Sequence, residues 1–275
     1  MPNVLKRMLK QIKEENYSVP TNVNVNDIVL EMMNNIGNTD PELRDKLIYS
    51  IMFYWIKDNK ITIDKLKELL AISIDDNHLF FRIGETDTDS VFTRSFSILL
   101  VPLILMKHGQ NNFLSERDIH EVYAKVVDYF IKEQDLRGYV KDKGWAHSIA
   151  HAADALDDLA ICSEIGREDL LYMLEIIKKK VFINNYVYIN EEDERLVTAI
   201  VSILNRNLIS NKDFCEWIKS FSNIEKTGIY PEDDNLLANV KNMLRSLYFR
   251  IIDLDNTKIL AEEIKNTLAK ISNFN

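Results

Sequence analysis

The chain has 275 residues, of which 46% are hydrophobic and 28% are charged. Its formal net charge is −9, its sequence pI is about 5.2, and no Lys/Arg cluster stands out against the 43 acidic residues. Because a nucleic-acid-binding face needs basic residues to neutralise phosphates, this composition argues against a nucleic-acid partner.

Seven glycines and five prolines are few for so long a chain. Strand-rich folds need many turns, and turns draw on these two residue types. Their scarcity therefore favours long helices joined by short connections. No stretch rich in Pro, Gly or Ser divides the sequence, so we predict a single all-helical domain over residues 1–275.

The sequence also indicates a compartment. Its two cysteines, Cys162 and Cys215, cannot form a disulfide framework and lack CxxC spacing. The first 17 residues mix basic residues with two glutamates and lack the apolar core of a signal peptide. The most apolar run, 96–106, is shorter than the ~20 residues of a membrane span. We therefore expect a soluble cytoplasmic protein without a membrane partner.

Apolar residues at helical spacing recur through the first half of the chain. Five start signals precede these segments, and they are Asn26-Asp27, Asp40-Pro41, Thr62, Asp87-Thr88-Asp89-Ser90 and Ser115. The predicted helices carry apolar residues within 4–15, 28–33, 43–56, 66–70, 91–106 and 122–131. The helix over 91–106 is apolar on most sides, which predicts a central position.

The second half continues in the same way. A helix is predicted after Gly144, and Ser210 begins a capping-box-like sequence. Further helices are predicted over residues 168–181, 193–208, 210–221, 231–250 and 257–271. The β-branched and aromatic segment 181–189 is predicted to be an extended connection or a single strand.

Roughly twelve helices and no convincing sheet predict an all-α fold. Pairs of successive helices have a spacing near the ~40–47 residues of HEAT or armadillo repeats. We therefore predict an α/α superhelix of stacked antiparallel helix pairs. An α/α toroid or an irregular helical bundle is the alternative.

Rare residue types are concentrated in the segment from Arg137 to Asp154. This segment contains two of the five histidines and one of the three tryptophans. An advance of about 100° per residue from Gly144 onward places one group of polar side chains on a narrow stripe. These residues are His147, His151, Asp154 and Asp158. The opposite face is apolar, so this helix is the candidate functional site.

Two histidines four residues apart can hold one metal ion, and a His–Asp pair can transfer protons. His147 and His151 are therefore candidate ligands of a divalent metal such as zinc, and with Asp154 they are the candidate catalytic residues. Asp154 lies about 10 Å along the axis from His147, so we expect it to orient His151 instead. A solvated polar face, or a buried His–Asp pair that joins two helices without a cofactor, is the alternative.

Other polar or aromatic residues could line the same site. These ligand-binding candidates are Asp89, Arg94, Arg137, Trp145, Asp158, Glu192 and Arg195. Arg94 lies within the most apolar helix and needs a buried ion-pair partner or a route to water. Arg137 could hold a carboxylate through two parallel hydrogen bonds. Trp145 is expected to fill the core rather than cover a cleft.

The stretch RGYVKDKGWAHSIAHAADALDDLA resembles the signature of a bacterial family called domain of unknown function 2785. Residues 84–100 and the run 192–196 resemble other recurrent blocks of that family. The resemblance implies a soluble all-helical protein from Bacillus-like bacteria, and it implies no activity. The recurrent polar positions that it implies are Asp89, Arg94, Arg137, Gly144, Trp145, His147, His151, Asp154 and Arg195.

The sequence leaves three functions open. The first is a binding module that holds a protein, peptide or small-molecule ligand in a polar groove near the 144–154 helix. The second is a hydrolase that uses His147, His151 and Asp154 with or without a metal. In the third, the motif is purely structural.

Overall fold

A computed structural model describes residues 2–21 and 23–274, with side chains from residue 4 onward. Within these residues, helices account for the secondary structure apart from one two-stranded hairpin, which confirms the predicted all-α class. The chain divides into two compact units, Met1–Leu159 and Ala160–Asn275. A division into compact units does not determine how many folding domains there are, so the single domain stays a prediction.

The first unit contains the N-terminal helices and the hairpin. Its helices are α1 (Pro2–Glu14), α2 (Val25–Met33), α3 (Ser50–Lys57), α4 (Ile63–Ser73), α5 (Ser90–Ile98), α6 (Leu100–Asn111) and α7 (Glu116–Lys132). A π-helix, Glu42–Tyr49, leads directly into α3. The hairpin strands are β1 (Tyr139–Val140) and β2 (Gly144–Trp145), and α8 (Ser148–Ile161) follows them. Helices α3 and α4 both pack against α6.

The second unit begins near the end of α8. Its helices are α9 (Arg167–Val181), α10 (Glu192–Asn205), α11 (Asn211–Lys219), α12 (Glu232–Ile251) and α13 (Lys258–Ile271), with a 3₁₀ turn at Ser220–Ser222. Helix α10 packs against α12, and α11 packs against α13. Such packed helix pairs are consistent with the predicted α/α superhelix.

Helices α5 and α6 are central to the first unit, as their composition predicts. Val91, Phe92 and Ile104 have no exposed surface. Together the two helices span Ser90–Asn111, the one described helix that is long and apolar enough to cross a membrane. Because 89% of its apolar window is buried inside the protein, it is consistent with the core helix of a soluble protein.

Most predicted helix starts are confirmed. Thr62 accepts a hydrogen bond from the Lys65 amide, and Ser115 forms a complete capping box. Asp40 accepts the Glu42 amide at 3.0 Å, although the helix that follows is a π-helix. The start at Asn26-Asp27 is wrong, because α2 begins at Val25 with Asn24 as its cap.

Two expectations concern extended structure. For residues 181–189 the predicted connection is confirmed: they contain the end of α9 and then a connection, and they form no strand because no neighbouring strand offers them backbone partners. The helix predicted after Gly144 begins at Ser148 instead. Gly144 and Trp145 form a strand because β1 supplies their backbone partners.

Candidate functional site

The hairpin places two aromatic rings on the surface. Tyr139 pairs with Trp145 in the antiparallel register, and their side chains are 57% and 41% exposed. The apolar side of the hairpin, Val140 and the following Ala146, packs against Phe92 of α5 and its neighbour in the buried cluster. The expectation that Trp145 fills the core is therefore wrong, because smaller side chains already occupy that contact.

Arg44 of the π-helix holds the hairpin in place from its buried side. Its guanidinium has no exposed surface and lies 4.2 Å from the ring centroid of Phe92. Its Nη2 donates to the carbonyl oxygens of Lys143 and Trp145 at 2.7 and 3.3 Å, and its Nε lies 2.8 Å from Asp45 Oδ1. Burial lowers the pKa of Arg44 and raises the pKa of Asp45 to about 6. The strand that carries Trp145 is thus held by a charged group inside the unit.

His147 does not lie on the predicted helical stripe. Its backbone is left-handed, with φ of +48°, and it precedes the first residue of α8. Its carbonyl accepts the His151 amide at 2.9 Å, so it occupies the N-cap position. A residue other than glycine costs about 1–2 kcal/mol in this conformation, so the surrounding contacts must hold it. The rotation of 100° per residue therefore applies only from Ser148 onward.

Five aromatic rings form a continuous row that we call the aromatic ladder: Tyr139, Trp145, His147, His151 and Phe96. The centroids of successive rings lie 5.0, 4.3, 5.8 and 5.3 Å apart. The first two rings are exposed, and the last two are buried. The Trp145 and His147 rings are tilted by only 33°, whereas the other three pairs meet nearly edge to face. The aromatic ladder therefore connects the surface to the C-terminal half of α5.

His151 is held in one orientation at the buried end. It is 6% exposed, and its Nδ1 lies 2.9 Å from the Ser95 carbonyl oxygen. Because a carbonyl oxygen can only accept, Nδ1 of His151 donates this hydrogen bond. The orientation of the imidazole is therefore fixed by α5.

Helix α8 continues this polar side with three half-buried carboxylates, Asp154, Asp157 and Asp158. Burial, followed by the charges of the other two, raises the pKa of Asp158 to about 7. On the apolar side, Ile149, Ala153 and Leu156 are buried as predicted. The predicted orientation of His151 by Asp154 stays a prediction.

Arg94 has the buried partner that its position requires. Both Arg94 and Glu133 side chains have no exposed surface, and two hydrogen bonds of 2.7 and 2.8 Å join them. The remaining guanidinium protons go to the carbonyls of Phe81, Arg82 and Glu85 and to the Ser90 hydroxyl. Burial opposes the charge, but Glu133 outweighs it and raises the pKa of Arg94. This guanidinium joins α5, the loop after α4 and the end of α7.

Arg137 does hold a carboxylate through two parallel bonds, and that carboxylate belongs to the chain itself. Its Nε and Nη2 lie 2.8 and 2.6 Å from the two oxygens of Asp135, which is 1% exposed. The hydrogen bonds to Asp135 raise the pKa of Arg137. Its Nη2 also donates to the Thr88 carbonyl, and the Ser148 hydroxyl donates to the Asp135 carbonyl. The start of α8 is therefore tied to the Arg137 loop.

The remaining predicted ligand-binding residues fall in two places. Asp89 lies at the start of α5, where both of its oxygens bind Lys143 Nζ of the hairpin at 2.6 and 2.8 Å. Glu192 and Arg195 lie at the start of α10 in the second unit. Glu192 is 1% exposed and accepts the Asn190 amide, and burial raises its pKa, whereas Arg195 is exposed.

A metal centre would need more ligands than the histidine pair supplies. Structural zinc takes four protein ligands and catalytic zinc usually three. Among the residues that the structure describes, no three His, Cys, Asp or Glu side chains converge in this way. His147 and His151 alone offer at most two imidazoles, with ring centroids 5.8 Å apart.

Sequence reasoning missed the residues that hold the site in place. They are Arg44, Glu133, Asp135, Tyr139 and Lys143. One signal was present for Arg44, which lies among Leu43, Leu47 and Ile48 and therefore on an apolar helix face. Glu133, Asp135 and Lys143 are ordinary polar loop or terminal residues, and Tyr139 is an exposed aromatic residue of β1; their roles depend on tertiary contacts.

Together, the fold and the site define a class: an all-α protein in which buried ion pairs support an exposed aromatic hairpin. A family model described as "Protein of unknown function (DUF2785)" matches residues 79–249, more than half of the chain. The chain belongs to this family, which confirms the family predicted from the sequence. No curated protein and no solved structure matches the chain.

Proposed function

We propose that this protein is a binding protein that holds a peptide segment of its partner at the exposed end of the aromatic ladder, Tyr139 and Trp145. The observation that supports the proposal is that contacts within the chain hold these two exposed rings in place without a bound partner. Tyrosine and tryptophan provide much of the energy of protein interfaces because large rigid rings bury area at little entropic cost. Here Arg44 anchors the Trp145 strand, and His147 packs against the indole at 4.3 Å.

The charges around these rings favour a cationic group on the partner. Asp87 has an 83% exposed side chain, Asp142 is exposed in the hairpin turn, and the whole chain carries a net charge of −9. Two cations close to these rings, Lys143 and Arg137, already bind Asp89 and Asp135, whereas Lys141 of the hairpin turn is exposed. An arginine or lysine side chain gains from the negative face of an aromatic ring and from such a potential. We therefore propose a basic peptide segment as the ligand.

The proposed cellular setting is a bacterial cytoplasm, and the proposed architecture is HEAT-like. Neither Cys162 nor Cys215 forms a disulfide, which agrees with a reducing compartment. HEAT-type folds are interaction scaffolds, so a HEAT-like architecture would suit a binding module.

Intrinsic fluorescence tests this proposal directly. The chain has three tryptophans, of which Trp55 and Trp217 are 0% and 5% exposed and Trp145 is 41% exposed. Acrylamide quenching therefore reports mainly on Trp145. Short arginine- or lysine-containing peptides should shift the exposed emission to the blue and protect it from quenching. Matched glutamate-containing peptides should do neither, and added salt should weaken the effect.

Two variants distinguish specific binding at the aromatic ladder from non-specific binding to exposed aromatic rings. Tyr139→Ala leaves the Trp145 reporter in place and should weaken peptide binding about fivefold or more, as expected for an interface aromatic. Phe249→Ala removes a 75% exposed ring elsewhere and should have no effect. If no basic peptide protects Trp145, or if Tyr139→Ala binds as well as the unaltered protein, the proposal is wrong.

Acid–base hydrolysis is the second candidate, and Asp158 favours it. A half-buried carboxyl with a pKa of about 7 can donate or accept a proton near neutral pH. His151 on the same helix has a fixed orientation, because its Nδ1 donates to the Ser95 carbonyl oxygen. Turnover of an ester or amide panel that disappears in both Asp158→Asn and His151→Gln would favour this candidate over binding alone.

A zinc-dependent form of the second candidate would use His147 and His151 as ligands. It predicts stoichiometric zinc by elemental analysis of the purified protein. The double variant His147→Ala, His151→Ala should then lose that zinc, and unchanged metal content would remove this form. Our proposal for the binding function includes no cofactor.

A further inference from the structure

We propose a second binding site, for a small neutral ligand rich in hydroxyl groups such as a monosaccharide, in a polar cavity of the first unit. The cavity lies where the turn after α2 and the loop after α4 meet α5. Its volume is about 420 Å³, within the ~300–1,000 Å³ range of small-molecule sites. The polar groups that line it are Asn34, Asn35, Asn38, Asn77, His78 and Thr93.

The lining is polar without being charged. Although 28% of the chain is Asp, Glu, Lys or Arg, none of these residues lines the cavity. A cavity of about 400 Å³ between α9 and α11 differs in this respect, because it is lined by charged residues that include the Arg167–Asp213 ion pair. Asparagine amides both donate and accept, as hydroxyl groups do. The lining therefore matches a neutral ligand better than an anion or a cation.

Several polar groups of the cavity have no partner in the described part of the chain. No side-chain hydrogen bond involves the amides of Asn34 or Asn77 or the hydroxyl of Thr93. Asn35 uses its Nδ2 on the Glu31 carbonyl, and Asn38 uses its Oδ1 on the Asp40 amide. Asn35 Oδ1 and Asn38 Nδ2 are thus available to a ligand, which would take the place of water.

Hydrogen bonds from buried arginine side chains hold the walls of the cavity in place. Arg44 Nη1 donates to the Asn38 carbonyl at 2.7 Å, and Arg94 Nη1 donates to the Phe81 carbonyl at 3.1 Å. Both guanidinium groups have no exposed surface. His78 lines the cavity with its ring oriented by Asp75, since Nδ1 lies 2.8 Å from a carboxylate oxygen. A site fixed in this way loses little entropy when a ligand binds.

Gly37 allows the two walls to meet at the floor. A Cβ atom at this position would lie 2.0 Å from Thr93 Oγ1 and 2.7 Å from Thr93 Cα. Any larger residue would therefore push the turn after α2 away from α5. Phe81 adds a half-buried aromatic ring, which suits the C–H face of a sugar.

Ligand-observed NMR on the full chain tests the proposal. Glucose, galactose and mannose at millimolar concentration should show saturation transfer from the protein. Glucose 6-phosphate and glucuronate, which add a charge to the same ring, should show markedly less. The double variant Asn34→Ala, Asn77→Ala loses two exposed amides and should bind the neutral sugars about tenfold more weakly, because the hydrogen bonds of both amides to the ligand are lost.

Two control variants test whether the loss of sugar binding is specific to the cavity. Asn111→Ala removes an exposed amide at the end of α6 and should leave sugar binding unchanged. Tyr139→Ala should also leave it unchanged, so this site and the aromatic ladder can fail separately. The proposal is overturned if no neutral sugar binds, if the charged sugars bind equally well, or if the double variant retains full affinity.

Discussion

Replacing Arg94 by methionine should be among the most destabilising single substitutions in the first unit. Methionine fills similar space but removes the cation and all six hydrogen bonds of the guanidinium. It leaves Glu133, which has no exposed surface, as a buried carboxylate without its counter-ion. An uncompensated buried charge is costly because the protein interior solvates it far less than water does.

The magnitude follows from what remains around Glu133. Breaking a buried ion pair by removing one partner costs about 3–5 kcal/mol. Glu133 Oε1 still accepts the amides of Gln134 and Asp135 at 3.0 and 2.9 Å, so its charge retains some solvation. We therefore expect the lower half of that range, about 3–4 kcal/mol. In a chain of this size, such a loss lowers Tm by roughly 6–16 °C.

Urea unfolding followed by circular dichroism measures this loss, and hydrogen exchange of residues 81–98 localises it to the first unit. Arg7→Met is the matched control, because Arg7 is exposed on α1 and its loss should cost less than about 0.5 kcal/mol. Glu133→Gln combined with Arg94→Met should cost less than the sum of the two single changes, because no buried charge is then left over. A loss below about 1 kcal/mol for Arg94→Met would refute the reasoning.

Two further predictions concern backbone conformation and pH. Gly144→Ala should lower the free energy of unfolding by about 2 kcal/mol, because φ is +80° and the new Cβ would lie 2.9 Å from Pro41 Cβ. Gly109→Ala is the control: it lies in an open helical position and should raise the free energy of unfolding by about 0.5–1 kcal/mol. Equal urea midpoints for the two variants would contradict this prediction. The raised pKa of Asp158, about 7 in the folded protein, means that the unfolded chain releases this proton at lower pH, so stability should fall as pH rises from about 4 to 7. Asp158→Asn should therefore match the unaltered protein at acid pH and exceed it by about 1–2 kcal/mol at pH 8, after allowance for partial exposure, and urea midpoints at both pH values check this.

The helical pattern was predictable because it depends on neighbours in sequence. Thr62 and Ser115 cap their helices through backbone amides three residues away. The burial of Ile149 and Leu156 follows from apolar spacing, which acts wherever a helix packs against a core. These features need no knowledge of distant contacts.

The candidate site was predictable only in part. The sequence identified the stretch from Arg137 to Asp154, and the structure places an ordered aromatic and ionic arrangement there. It did not predict that Trp145 lies in a strand or that His147 is left-handed, because both depend on packing against Arg44 and Phe92. Local propensity cannot encode a partner about a hundred residues away.

What the sequence by itself determined is the all-α class, most helix positions and the neighbourhood of the candidate site. Only the tertiary structure decided which polar residues are exposed and which are committed to internal contacts. Arg94 and Arg137 are the best examples, since both are candidate ligand-binding residues by sequence, yet their guanidinium groups bind Glu133 and Asp135. The physical reason is that a buried charge must find its counter-ion in the fold, and that partner is set by three-dimensional packing rather than by sequence spacing.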